Sequence, residues 1–154
     1  MADLEQSAEK IVTTNRKARH EYFILDTFEA GIVLKGTEVK SLRQGNANLA
    51  DGYAMLKGGE VWLAGMHISP YQQGSYSNVD PTRSRKLLLH AREIRKLSGR
   101  LKEKGLTLVP LKVYFKNNLA KVLLGLAKGK RAFDKRQDIA KRDAERAIRQ
   151  RYAR

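Results

Sequence analysis

Two pairs of apolar runs, each joined across a two-residue turn, constrain this chain more than any other feature. Tyr53-Ala54-Met55-Leu56-Lys57 and Glu60-Val61-Trp62-Leu63-Ala64-Gly65-Met66 flank Gly58-Gly59, and Leu106–Phe115 and Leu119–Leu126 lie on either side of Asn117-Asn118. A tight hairpin turn needs residues that accept positive φ, so Gly-Gly between two such runs is a strong hairpin signal. Strands joined in this way run antiparallel. The fold must therefore be built from neighbouring antiparallel strands rather than from a parallel sheet with crossover helices.

The rest of the order fits that frame. Tyr22-Phe23-Ile24-Leu25 reads as a strand and Gly31-Ile32-Val33-Leu34 as a second one, both rich in β-branched and aromatic residues. Thr37 to Gly45 has the punctuation of a short helix: Thr37 as N-cap, Glu38 in the first turn, Arg43 in the last, and Gly45 at the exit. Val39 and Leu42 would turn one face of it onto the body. Ser69 to Lys86 is poor in apolar residues and longer than most loops, the pattern of a binding loop or of disorder. Leu87-Leu88-Leu89 reads as a short buried strand. Ala91 to Lys104, with Ile94, Leu97 and Leu101 at helical spacing and Gly105 after it, predicts an amphipathic helix with a basic outer face. Many strands and two inserted helices predict a mainly β fold, an antiparallel barrel of the oligonucleotide-binding type with peripheral helices.

Charge then divides the chain. Residues 128–154 hold eleven Lys or Arg against four Asp or Glu, within a net charge of +15 for all 154 residues, and carry few core-forming side chains. Such a segment cannot bury enough apolar surface to offset its ordering entropy. The expected organisation is a flexible leader over 1–10, a β-barrel body over 11–127 and a basic tail over 128–154. Within the tail, Asp134 with Gln137 resembles a capping box, and Ala140, Ala144, Ala147 and Ile148 form a thin stripe. The tail is expected to become helical when phosphates neutralise Lys135, Arg136, Lys141, Arg142 and Arg146.

The charge points to nucleic acid or an anionic membrane surface. No apolar run is long enough to span a bilayer. The absence of cysteine excludes disulfides and fits a cytoplasmic setting. His20, His67 and His90 lack ligand spacing, so neither a metal nor another cofactor is expected. There is no nucleophile elbow, Walker loop or dinucleotide fingerprint. His20 with Asp26 or Glu29 is the one set that could mimic an acid–base pair in a nuclease or modifying enzyme, and solvated carboxylates at a strand end are the preferred account of it. A structural ribosomal protein is a third class, since basic tails are common there. The features that favour RNA binding are Asn15, Arg16, Lys17 and Arg19 just before Tyr22, which mix phosphate contacts with a stacking surface. The turn Asp80-Pro81-Thr82-Arg83-Ser84-Arg85-Lys86 adds three cations suited to a sugar-phosphate backbone.

Longer stretches are more specific. Asn15 to Phe23, Glu29-Ala30-Gly31, Gly36 to Arg43 with Ala47-Asn48 and Asp51, Asp80 to Arg83, Arg85 to Leu89, Tyr114 to Asn117, Gly125 to Lys130 and Asp134 to Arg136 together resemble the SsrA-binding protein (SmpB) family, in order and at matching spacing. The resemblance covers nearly everything after the leader. It implies a non-enzymatic adaptor of trans-translation with an oligonucleotide-binding-like barrel, acting as a monomer. Its partners would be the tRNA-like domain of transfer-messenger RNA and the small-subunit decoding centre and mRNA channel of the stalled ribosome. By this likeness Asn15, Glu29, Leu88 and Lys121 match RNA-binding positions. Gly129, Asp134, Lys135 and Arg136 match the tail junction that acts at the decoding centre, and Lys128, Lys130, Lys141 and Arg142 are expected to join them in the tail that enters the vacant channel. Physical reasoning adds expected roles: Asn15 reads a base edge, Glu29 orients an Arg or accepts from a base or ribose, Leu88 supports the surface by packing, and Lys121 meets phosphate. Phe133 stands where the family often has histidine, so it can stack but cannot titrate.

Overall fold

The computed structural model describes residues 9–72, 78–130 and 146. Its last strand shows why these residues fold as they do. Leu119–Gly129 alternates, with Val122, Leu124 and Leu126 fully buried and Lys121 and Leu123 half-buried on the opposite face. A period of two puts one face in a core and leaves the other for solvent or a partner.

In chain order the elements are β1 (Glu9–Thr14), α1 (Arg16–Glu21), β2 (Tyr22–Ile32), α2 (Gly36–Arg43), β3 (Ala47–Asn48), β4 (Tyr53–Lys57), β5 (Glu60–Ala64), β6 (His67–Ile68), β7 (Arg85–Leu88), α3 (Ala91–Arg100), β8 (Leu106–Lys116) and β9 (Leu119–Gly129). The main sheet runs β8-β4-β5-β7-β2-β9 and closes on itself through the β8–β9 pair, with β1 added along β8. Every pairing is antiparallel. A closed ring removes exposed strand edges, which is how small antiparallel barrels avoid edge-to-edge association. β3 and β6 form a separate two-stranded ladder. The expected antiparallel barrel with helices is the fold found.

Both hairpin turns form as their chemistry requires. Gly58 and Gly59 have φ of +61° and +74°, and Asn117 and Asn118 have +51° and +64°. β8 serves three neighbours. It pairs with β9 along its length, with β4 at Leu108 and with β1 from Lys112 to Lys116. The register slips between Pro110 and Lys112, where proline has no N–H to give a ladder. Phe28, Leu63, Leu87, Leu108, Val113, Val122, Leu124 and Leu126 fill the interior. Leu42 of α2 and Leu97 of α3 are buried against that core; α3 docks through its apolar face as expected, whereas the buried face of α2 carries Glu38 and Ser41 beside Leu42, and Val39 is only half-buried.

Several sequence expectations are corrected. Residues 9–14 form β1 rather than belonging partly to a leader, because Lys10, Ile11 and Thr13 find partners on β8. The basic cluster at Arg16–Glu21 is a helix and not a simple lead-in to a strand. The two strands expected at 22–25 and 31–34 are one 11-residue strand, since the register irregularity between Ile24 and Asp26 carries the ladder through the polar centre. The N-cap of α2 is Lys35, two residues before Thr37, and its amide donates to Glu38 Oε1 at 2.9 Å. α3 ends at Arg100, short of Lys104. In the run 87–89, Leu87 is buried but Leu88 is half exposed, because Arg85 and Leu87 take the inward positions of β7. β9 continues to Gly129, so Lys128 and Gly129 belong to the barrel rather than to the tail. The helix expected within 134–149 lies outside the described residues, Arg146 apart. Among the described residues no helix is long and apolar enough to cross a membrane.

Candidate nucleic-acid interface

α1 is a short helix of six residues and needs external support, which Asn15 supplies. The Asn15 side-chain oxygen accepts from the Ala18 amide at 3.2 Å, its Nδ2 donates to the Pro110 carbonyl at 3.0 Å, and its backbone N–H donates to the Leu111 carbonyl at 2.8 Å. Ala18 is buried on a small second core of Val109, Leu111 and Ala127. Asn15 is itself buried, with its polar atoms committed, so the expected base-reading role is replaced by positioning. Arg16, Lys17, Arg19 and His20 are thereby held on the solvent side of α1. Tyr22, half-buried at the start of β2, packs on the second core. It is therefore partly withdrawn from the stacking role expected of it.

Gly31 is the meeting point of a second group. It pairs with Leu88 of β7 on one side and Lys121 of β9 on the other, and Lys121 pairs with Tyr114 of β8. Directly paired residues share a face, so Leu88, Lys121, Tyr114 and, two residues from Gly31, Glu29 lie on one face of the sheet, where Tyr114 is fully buried, Glu29 and Lys121 are half-buried and Leu88 is exposed. Gly31 has no side chain to crowd this strip, and a Cβ there would lie 3.4 Å from Leu88 Cβ. The Tyr114 hydroxyl donates to Glu29 Oε2 at 2.5 Å, and Lys116 Nζ lies 3.4 Å from the same oxygen. Burial pushes the Glu29 carboxyl up, but the bond from Tyr114 and the charges of Lys116 and Lys121 outweigh it and hold the group below the ordinary range. Burial, and then the same contact, raise the Tyr114 hydroxyl, so it stays protonated and donating. Glu29 thus orients a tyrosine and a lysine, not an arginine. Leu88 is 52% exposed, so it presents an apolar contact instead of supporting the surface from beneath.

The cations of the 80–86 turn behave differently from the expectation. Arg85 is fully buried: Nε bonds Glu38 Oε2 at 2.5 Å, Nη1 donates to the Met66 carbonyl at 2.8 Å and Nη2 to the Pro81 carbonyl at 3.0 Å. Arg83 pairs with the same Glu38 carboxylate through Nη2 and, at 3.2 Å to both oxygens, through Nε. Burial raises the Glu38 carboxyl, but Arg83, the Lys35 amide and Arg85 more than compensate and leave it below its usual value. Arg85 cannot reach RNA, and Arg83 is largely spent. Lys86 remains on the surface, 2.9 Å from Glu60. Two arginines two residues apart gave no warning of this. The signal was Glu38, an acidic residue on the inward face of a helix, which demands a cation.

For the acid–base set, Asp26 is committed to Lys96 at 3.1 Å and Glu29 to Tyr114, and neither carboxylate bonds His20. Among the described residues no group of three or more His, Cys, Asp or Glu could hold a metal ion.

The SmpB protein family profile matches residues 12–154. The SsrA-binding proteins of Desulforudis audaxviator and Carboxydothermus hydrogenoformans are 62% and 61% identical over 145 and 148 residues, covering 94% of this chain and 95% and 99% of theirs. The chain belongs to the SmpB family. A solved structure described as "tmRNA-SmpB: a journey to the center of the bacterial ribosome" is 59% identical, with a TM-score of 0.64 over 77% of this chain and 83% of that one.

Against the family expectation, the fold brings Glu29, Leu88 and Lys121 together and sets Asn15 apart beneath α1. Tyr114 and Lys116 are the members that sequence reasoning missed. A tyrosine in a run of apolar residues reads as core, and Tyr114 is buried; only the β8–β9 register shows that its hydroxyl meets Glu29. At the root of the tail, Lys128 and Gly129 pair with Phe23 and Tyr22, and Lys130 Nζ donates to the Arg19 carbonyl at 3.2 Å and sits 5.1 Å from the Phe23 ring. Phe133, Asp134, Lys135, Arg136, Lys141 and Arg142 lie outside the described residues.

Proposed function

We infer that this chain is an RNA-binding adaptor of trans-translation without chemistry of its own. It binds transfer-messenger RNA and takes it to stalled ribosomes, as befits a member of the SmpB family closely similar in sequence to SsrA-binding proteins. The observation that carries the reading to particular residues is the convergence of Glu29, Leu88 and Lys121 around Gly31, on a face whose neighbour α1 offers Arg16, Lys17 and Arg19. In this reading Lys121 and the α1 cations take phosphates, Leu88 packs against a sugar or base, and Glu29, fixed from beneath by the buried Tyr114, presents its half-exposed carboxylate to a ribose hydroxyl or base amine. The tRNA-like domain is the part of the RNA that such a folded surface fits. The tail from Lys130 onward supplies the ribosomal contact, occupying the empty mRNA channel beside the decoding centre, and the protein acts in the cytoplasm.

Truncation after Lys130 tests the division of labour. RNA binding should persist while tagging of incomplete peptides on stalled ribosomes is lost, and equal loss of both would refute it. If about 6–10 phosphates are contacted, affinity should fall by roughly 10³–10⁵ between about 50 and 200 mM salt.

A further inference from the structure

Lys86 and Leu88 point to the same outer face of β7, two residues apart, and Lys86 pairs across the ladder with Trp62 of β5, which pairs in turn with Met55 of β4. The strip around Leu88 therefore continues across the next two strands. There the surface dips into a cleft of about 460 Å³ lined by Met55, Lys57, Gly58, Glu60, Trp62 and Ser84. Its floor is the half-buried indole of Trp62 and the thioether of Met55. Lys57, which has no ion-pair partner among the described residues, lines the cleft, and Lys86 stands beside it, paired across the ladder with Trp62 and bridged to Glu60. The volume is within the range of small-ligand sites.

We propose that this cleft holds one unpaired nucleobase of a bound RNA, stacked on Trp62, with its backbone phosphate taken by Lys57 and Lys86. Three observations favour this occupant over a peptide. β5 is paired on both edges, by β4 and β7, so no extended chain can add to it as a strand. An aromatic plane beside two cations suits a base with its phosphate, and base–aromatic stacking accepts any base because every base has a π-face. Lys86 also joins the cleft directly to the strip that carries Leu88, so one RNA strand can run over both. The Glu60 carboxylate, already bridging to Lys86, can accept from an exocyclic amine. The proposal rests on the reading that the protein binds RNA through the Glu29–Leu88–Lys121 face.

Trp62 is the sole tryptophan of the chain, so its emission reports this cleft alone. The full-length protein is titrated with a short oligouridylate carrying a dye, recording anisotropy of the dye and tryptophan emission together. The expected result is saturable quenching that tracks the anisotropy. Trp62→Leu should weaken binding by about 5- to 150-fold, the range that corresponds to about 1–3 kcal/mol for one stacked base, with Trp62→Phe restoring most of it. Inorganic polyphosphate, which has charge but no base, should leave the emission unchanged. Binding seen by anisotropy with no change in emission overturns the cleft and leaves the RNA-binding reading intact. Equal quenching by polyphosphate overturns it in favour of a general anion effect. If neither the oligouridylate nor transfer-messenger RNA binds, both readings fall.

Discussion

Arg85→Ala separates a buried structural cation from an RNA contact. The substitution removes three bonds, to Glu38, the Met66 carbonyl and the Pro81 carbonyl, at a site with no solvent exposure. Breaking a buried pair by deleting one partner costs about 3–5 kcal/mol, because the remaining charge and carbonyls are left without partners. Arg83 stays on Glu38, which places the expected loss near the lower end, about 3 kcal/mol. Against a total stability of about 5–15 kcal/mol this is a large fraction. With a urea m-value of about 2 kcal/mol/M, the midpoint should move down by about 1.5 M at unchanged slope. Arg83→Ala, where the side chain is 25% exposed, should cost only about 1 kcal/mol. The assay is equilibrium urea unfolding followed by tryptophan emission, paired with RNA binding at several salt concentrations. If Arg85→Ala left the midpoint in place and instead lowered the salt slope by about 1, the burial argument would be wrong and the turn would be a phosphate contact after all.

Two carboxylates in separate clusters set a pH dependence. Glu38 and Glu29 both have carboxyls held below the ordinary 4.5, so their stabilisation is complete above that value and is lost as pH falls through the lower folded-state values. Acid titration of Glu38→Gln should show a shallower loss of stability below about pH 4.5 than the parent; identical curves would remove Glu38 from the account. Asn15→Ala should cost about 0.5–2 kcal/mol through the lost cap, and Asn15→Asp should recover the cap while leaving the Pro110 carbonyl unmet, as thermal unfolding can resolve. Lys121→Ala should lower the salt slope for transfer-messenger RNA by about 1 with an unchanged melting temperature; a slope equal to the parent's counts against its phosphate contact. Gly65→Ala should destabilise by about 1–3 kcal/mol or more, since φ is +75° and a Cβ would stand 2.3 Å from the Asp51 carbonyl oxygen.

Local chemistry was legible wherever a residue's own conformational demands decide the outcome. Gly58-Gly59 and Asn117-Asn118 needed no tertiary information to make hairpin turns, and the apolar spacing of Ile94, Leu97 and Leu101 was enough for α3. β2 was harder, because Asp26 and Thr27 interrupt its pattern and only pairing to β9 shows that the strand continues. α1 was missed for the opposite reason. Six residues have too little intrinsic helicity to announce themselves, and their stability comes from Asn15 reaching across 95 positions to Pro110.

Sequence alone determined that this chain makes an antiparallel barrel, that it is strongly cationic, and that its ordered motifs resemble one RNA-binding family. Those properties depend on turn conformations, periodicity and net charge, all of which are local or additive. Which cations are free to meet RNA was decided only by the tertiary structure. Arg85 and Lys86 are neighbours in the chain, yet strand alternation sends one into the core to neutralise Glu38 and leaves the other beside Trp62. Leu88 and Lys121, 33 positions apart, became a single surface because both pair with Gly31.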